Sequence, residues 1–209
     1  MARRPGAAGL PRRLRRLLTG LVTMGAGIGL MAGADLGLGP WDVLHQGLAE
    51  RTGLTLGLLN ILVGAAVLAL WIPLRLRPGI GTVLNVVIIG LVVDATLALL
   101  PELEALPVQV AAMVGGVLLM GVGSGLYIGA GLGPGPRDGL MTGLAARGHT
   151  VRSVRTALEV TVLALGWLLG GTVGIGTVVQ ALAIGPLVQA CLDWLGLPAR
   201  EPAGEPAAR

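Results

Sequence analysis

Two short motifs carry the side chains best suited to handling charge. Asp42 stands in GLGPWDVLHQGL (37–48), three residues before His45, and Asp138 stands in GLGPGPRDGLM (131–141). A carboxylate and an imidazole three residues apart on a helix share a face and can hold or pass a proton. A carboxylate beside a helix start also favours the positive helix end, so capping is the other role open to Asp42 and Asp138. A further carboxylate, Asp94, and three amides, Asn85, Gln180 and Gln189, fall inside long apolar stretches. An intramembrane carboxylate is costly and marks a pathway or a paired partner, whereas amides there join helices by hydrogen bonds. Asp42, His45, Asp94, Asp138, Asn85, Gln180 and Gln189 are therefore the candidates for a substrate or ion pathway. Glu159, one turn beyond Arg155, has the spacing of a local ion pair.

Covalent chemistry is not expected. One Cys (Cys191) and two His (His45, His149) make neither a disulfide framework nor a cysteine-histidine metal site. No phosphate-binding Walker loop, H-E-x-x-H or G-x-S-x-G motif is present, and GLGLGP lacks the strand that a dinucleotide fingerprint needs. The reading is of a non-enzyme with no catalytic residue, no metal and no cofactor.

The elements that position these residues follow from composition. Of 209 residues, 54% are hydrophobic and 12% charged, with mean hydropathy +0.82, against about 25% charge in soluble domains. A membrane crossing takes about 20 apolar residues, and six windows qualify: 17–34, 54–74, 80–100, 107–129, 153–170 and 176–195. All 15 basic residues are Arg, and six crossings with both termini inside place 14 of them in the cytoplasm, leaving only Arg51 outside. The basic balance is thus assigned to membrane orientation, and no nucleic acid is expected.

The chain also repeats itself. At an offset of 96, every glycine from Gly20 to Gly47 meets another glycine, and Pro40 and Asp42 meet Pro136 and Asp138; beyond Arg51 and Arg147 the offset becomes 95. The Arg-rich start before Ala32-Gly33-Ala34 also fits a secretory signal, and Arg12-Arg13 weakly a twin-arginine one. Pairing of the first span with an internal one argues that it is retained. Three spans per half, an odd number, turn the second half upside down, as in many secondary transporters. Expected boundaries are a cytosolic Arg-rich start at 1–16, repeats at 17–100 and 107–196, and a disordered cytosolic tail at 197–209. Each first span carries a double G-x-x-x-G for close packing, Gly25, Gly29 and Gly33 in one, Gly121, Gly125 and Gly129 in the other. Pro40–Arg51 and Pro136–Arg147 then read as half-helices of about 18 Å, too short to cross, and either interfacial or re-entrant.

GLGPWDVLHQGL, GLGPGPRDGLM and LGWLLGGTVGIGT (165–177) resemble the YczE/YitT-like group of bacterial integral membrane proteins, and the lack of a soluble C-terminal domain favours its YczE branch. That resemblance implies a fold and a bacterial membrane location, and supplies no substrate or catalytic residue. The expectation is an all-α membrane protein in the bacterial inner membrane: six transmembrane helices in two inverted three-helix repeats, each with a half-helix after its first span. Two functions stay open: transport or export of a small solute, with solute or protons as passengers, and a non-transporting scaffold or regulator of other membrane or biosynthetic proteins. The lipid bilayer is the expected surrounding, and the oligomeric state is left open.

Overall fold

A computed structural model describes residues 9–197. The expected tail beyond Leu197 and the arginines at 3, 4, 200 and 209 lie outside the described residues. Among those described there are nine helices and no strand: α1 Leu10–Ala34, α2 Pro40–Thr52, α3 Leu56–Ala69, α4 Trp71–Leu74, α5 Ile80–Leu99, α6 Leu106–Ala130, α7 Pro136–Ala145, α8 Val151–Leu168 and α9 Ile175–Trp194.

Among the described residues, five stretches are long and apolar enough to cross a membrane: Leu10–Ala34, Leu56–Leu74, Ile80–Leu99, Leu106–Ala130 and Ile175–Trp194. The sequence suggests six. The difference is α8, whose 18 residues include Arg152, Arg155 and Glu159. Outward faces carry large apolar side chains, with Leu99 85% and Trp194 84% exposed. Such surface is stable against lipid tails and costly against water.

Glycine sets the central packing. A Cβ on Gly27 would stand 2.6 Å from the Gly116 carbonyl oxygen, and one on Gly20 would stand 2.8 Å from that of Gly123. The contacts run in opposite order along the two helices, so α1 and α6 cross antiparallel with backbones touching. The G-x-x-x-G faces serve other neighbours. Gly25, Gly29 and Gly33 seat Val92, Thr96 and Leu100 at the α5 side, while Gly121, Gly125 and Gly129 seat Leu187, Cys191 and Leu197 at the α9 side. In both cases the order is the same along each helix, so α5 runs parallel to α1 and α9 parallel to α6.

The long first helix begins before the expected residue 17 because Pro11 suits a helix start and the arginines after it find partners. Arg13 donates to the carbonyls of Ala130 and Gly131, at 2.9 and 2.6 Å, and Arg16 to that of Gly129 at 3.2 Å. The basic start of α1 thus satisfies free carbonyls at the end of α6, where positive charge is favoured.

The two short helices start at the expected prolines. Gly53 ends α2 with φ 71°, a left-handed conformation natural to glycine. The second ends at Ala145, two residues before Arg147, because Gly148 and His149 turn their amides back onto the Ala145 carbonyl. Loops ahead of both helices cross to the other half. Gly176 N donates to Leu36 O at 2.8 Å, and Gly81 N donates to Leu132 O at 2.9 Å. This docking draws the starts of α2 and α7 toward each other.

Candidate functional site

A cavity of about 470 Å³ opens where those two helix starts meet, within the range of small-molecule sites, about 300–1,000 Å³. Its floor is apolar, from Ile28, Ile89, Met120 and Ile184 of the long helices. Polar groups enter from the half-helices and from α3, α5, α6, α8 and α9.

Arg137, in the first turn of α7, reaches across to α2. Its Nη2 lies 3.6 Å from Asp42 Oδ1 and donates to Asn60 Oδ1 on α3 at 3.1 Å, while the guanidinium stacks 5.1 Å from the centre of the Trp41 ring. Such stacking contributes on the order of 0.5–2 kcal/mol, more as water is excluded. His45, almost wholly buried, stands behind the pair, with Nδ1 3.5 Å from Asp42 Oδ1 and Nε2 3.5 Å from Arg137 Nη2. A neutral ring with its proton on Nδ1 suits both neighbours, since it offers a donor to the carboxylate and an acceptor to the guanidinium.

Several wall groups retain unused valence. Trp41 Nε1 and Gln180 Oε1 have no hydrogen-bond partner, and Asp42 Oδ1 has only its ion-pair contacts to Arg137 and His45 at 3.6 and 3.5 Å, although their residues are only 8, 9 and 3% exposed. Buried polar atoms without partners cost about 1–3 kcal/mol each, and all three residues line this one cavity. Gln180 owes its place to Gly39, since a Cβ there would stand 2.5 Å from the amide nitrogen. Asp138 is exposed at the wall and takes part in none of the ion pairs among the described residues. Arg155 and Glu159, also at the wall, satisfy each other at 2.9 Å.

The structure brings Asp42, Asp138, Asn85, Gln180 and Gln189 to the cavity and sets His45 behind Asp42. Asp94 stands apart, accepting from Thr55 Oγ1 at 2.6 Å and Gly57 N at 2.7 Å, where its carboxylate caps the start of α3. Gln189 spends its amide on Asp193, at 2.8 Å. Three placements differ from what residue type suggests. Trp41 and Trp71 fit interface anchoring, yet both are buried, and Trp71 Nε1 donates to Pro136 O at 3.0 Å, seating α7. Arg137 looks like a cytoplasmic loop charge but lies inside the bundle, because a buried carboxylate awaits it there. Asn60, a lone amide in an otherwise apolar stretch, was the available signal for a further wall residue. Among the described residues, no three His, Cys, Asp or Glu side chains converge at metal-binding range.

These features define a multi-pass membrane protein of apolar helices enclosing a polar cavity. The chain belongs to the family of unknown function DUF6198, whose profile matches residues 11–193. It is 44% identical over 178 residues to an uncharacterised protein of Haemophilus influenzae, covering 85% of this chain and 82% of that one. It is also 37% identical over 173 residues to the uncharacterised membrane protein YczE of Bacillus subtilis, covering 81% and 80%. An uncharacterised protein of the same bacterium, YyaS, is 27% identical over 176 residues, covering 81% of this chain and 87% of the other. No solved structure matches.

Proposed function

We propose that the chain is a carrier of a small solute, working in the bacterial inner membrane with six crossings and both termini cytoplasmic. The observation that carries this reading is the meeting of two half-helix starts at a cavity where a few buried polar wall atoms lack hydrogen-bond partners. Broken helices that meet between two repeats are where carriers bind substrates. The work proposed is binding and release, with no covalent step.

An inverted repeat is supported by three features. Antiparallel α1 and α6 each take a parallel partner, α5 and α9. Loop docking is reciprocal, Leu36 with Gly176 and Leu132 with Gly81. Wall residues also pair at the sequence offsets: Trp41 with Arg137, Asn60 with Arg155, Gly64 with Glu159, and Asn85 with Gln180. In this reading α8 is the sixth crossing, since Arg155 and Glu159 face the cavity and Arg152 lies at its end. Rocking one half against the other about the α1–α6 contact would open the cavity to each side in turn.

Flux through proteoliposomes tests the carrier, with protein-free vesicles as reference and a panel of small charged and neutral solutes. Saturable movement of any one sustains it. No movement, together with crosslinking that recovers a stable membrane partner, favours a scaffold or regulator. Topology has its own test: Arg75→Cys and Glu104→Cys, each in a Cys191→Ala background, should label from opposite sides. Labelling from one side would remove the six-crossing arrangement.

A further inference from the structure

We infer that the cavity takes a small organic cation, bound through the Asp138 carboxylate. This rests on the reading of the cavity as a solute site and names the class of solute. Half-helix starts ordinarily attract anions, because their free amides point outward. Here that place is filled twice over. Asp42 stands in the first turn of α2 and Asp138 in the first turn of α7, each an anion supplied by the chain itself.

The wall's other charges are already matched. Arg137 faces Asp42 at 3.6 Å and has Asn60 and the Trp41 ring as further partners. Arg155 holds Glu159 at 2.9 Å. With both pairs counted as neutral, the wall carries one net negative charge, on Asp138. An unpaired carboxylate inside a membrane protein is stabilised by a cation brought to it.

Of the other unpartnered wall atoms, Trp41 Nε1 is a lone donor, while Gln180 Oε1 favours the same sign as Asp138. Gln180 Oε1 is an acceptor without a donor, its residue more than nine-tenths buried at the cavity wall. Tyr127 offers an aromatic ring at the same wall, although its hydroxyl is committed to Gly133 O at 3.0 Å. Carboxylate, amide oxygen and ring faces are groups that surround an ammonium centre. A volume of about 470 Å³ with Ile28, Ile89, Met120 and Ile184 at its floor is far more than a bare inorganic ion needs, and accommodates an apolar body. One positive centre on a compact hydrocarbon frame matches one carboxylate in an apolar chamber.

The test is equilibrium binding to the full chain in lipid nanodiscs, with two monocations of different bulk, tetraethylammonium and cyclohexylammonium, against the anion benzoate. At least one cation should bind saturably and benzoate should not. Asp138→Asn should weaken that binding tenfold or more, Asp138→Glu should keep it within about threefold, and Glu102→Gln, an exposed loop carboxylate, should leave it unchanged. Thermal unfolding of each variant separates loss of binding from loss of fold; if Asp138→Asn does not fold, protection of the wild-type carboxylate from carbodiimide by the bound cation decides. Benzoate binding in preference to both cations, equal cation binding by Asp138→Asn, or no binding of either cation overturns the inference. Vesicle flux keeps the two readings distinct: a cation bound at Asp138 but never moved ends the carrier reading alone, and an anion moved while no cation binds ends the cation site alone.

Discussion

The two half-helices begin with the same elements, a glycine, a proline and an aspartate two residues on, and are held in opposite ways. In α2 the aspartate is buried against Arg137 and His45, and the helix backbone lies directly on α8, where a Cβ on Gly166 would stand 2.5 Å from Leu44 N. In α7 the aspartate is exposed at the cavity and unpaired among the described residues, and the helix rests on the Trp71 ring. One carboxylate is a structural clamp between halves; the other is left available. Near-identical motifs therefore do different work because the repeat position after proline holds Trp41 in one half and Arg137 in the other, and the single arginine can neutralise only one aspartate.

The largest effect should come from breaking the clamp. Arg137→Ala leaves Asp42 buried without a countercharge and should cost about 3–5 kcal/mol, read as a fall in unfolding free energy in detergent micelles. Gly166→Ala should follow, at about 2–3 kcal/mol, because both facing surfaces are backbone and must separate. Trp71→Phe removes the donor to Pro136 O and should cost about 1 kcal/mol, with faster proteolysis near α7 as a second readout. Asp138→Asn should be the mildest, under about 1 kcal/mol, since only the helix-start charge is lost. A loss for Asp138→Asn as large as that for Arg137→Ala would erase the contrast between clamp and free carboxylate.

Much of the architecture is legible in the sequence because glycine and proline act locally. The prolines at 40 and 136 mark where α2 and α7 begin, and spaced glycines announce helices in close contact. What sequence hides is the identity of partners. Gly25 and Gly121 read as a single packing face for either each other or equivalent neighbours, and the structure seats α5 and α9 there while Gly20, Gly27, Gly116 and Gly123 make the central crossing. Asp94 looks costly as an intramembrane carboxylate until Thr55 and the Gly57 amide appear beside it, 39 and 37 residues away. Charge counting assigns Arg137 to a loop, because such counting ignores depth; a short helix that starts inside the bundle carries its arginine inward. The same limit applies to α8, whose Arg155 and Glu159 subtract from apolarity yet turn toward a polar wall.

A water-reachable cavity between the two half-helix starts is the central claim, and Ser124 is placed to test it. This residue lies within α6, ahead of its end at Ala130, at the cavity wall and partly buried. Ser124→Cys in a Cys191→Ala background changes one atom and removes the competing thiol. Exposed to a small, positively charged, membrane-impermeant thiol reagent in native-like vesicles, it should be labelled through the cavity, and saturating tetraethylammonium should slow the labelling. A thiol at Ser124 that stays unreactive from both sides of the membrane, while Glu104→Cys in the same background reacts, would contradict the account.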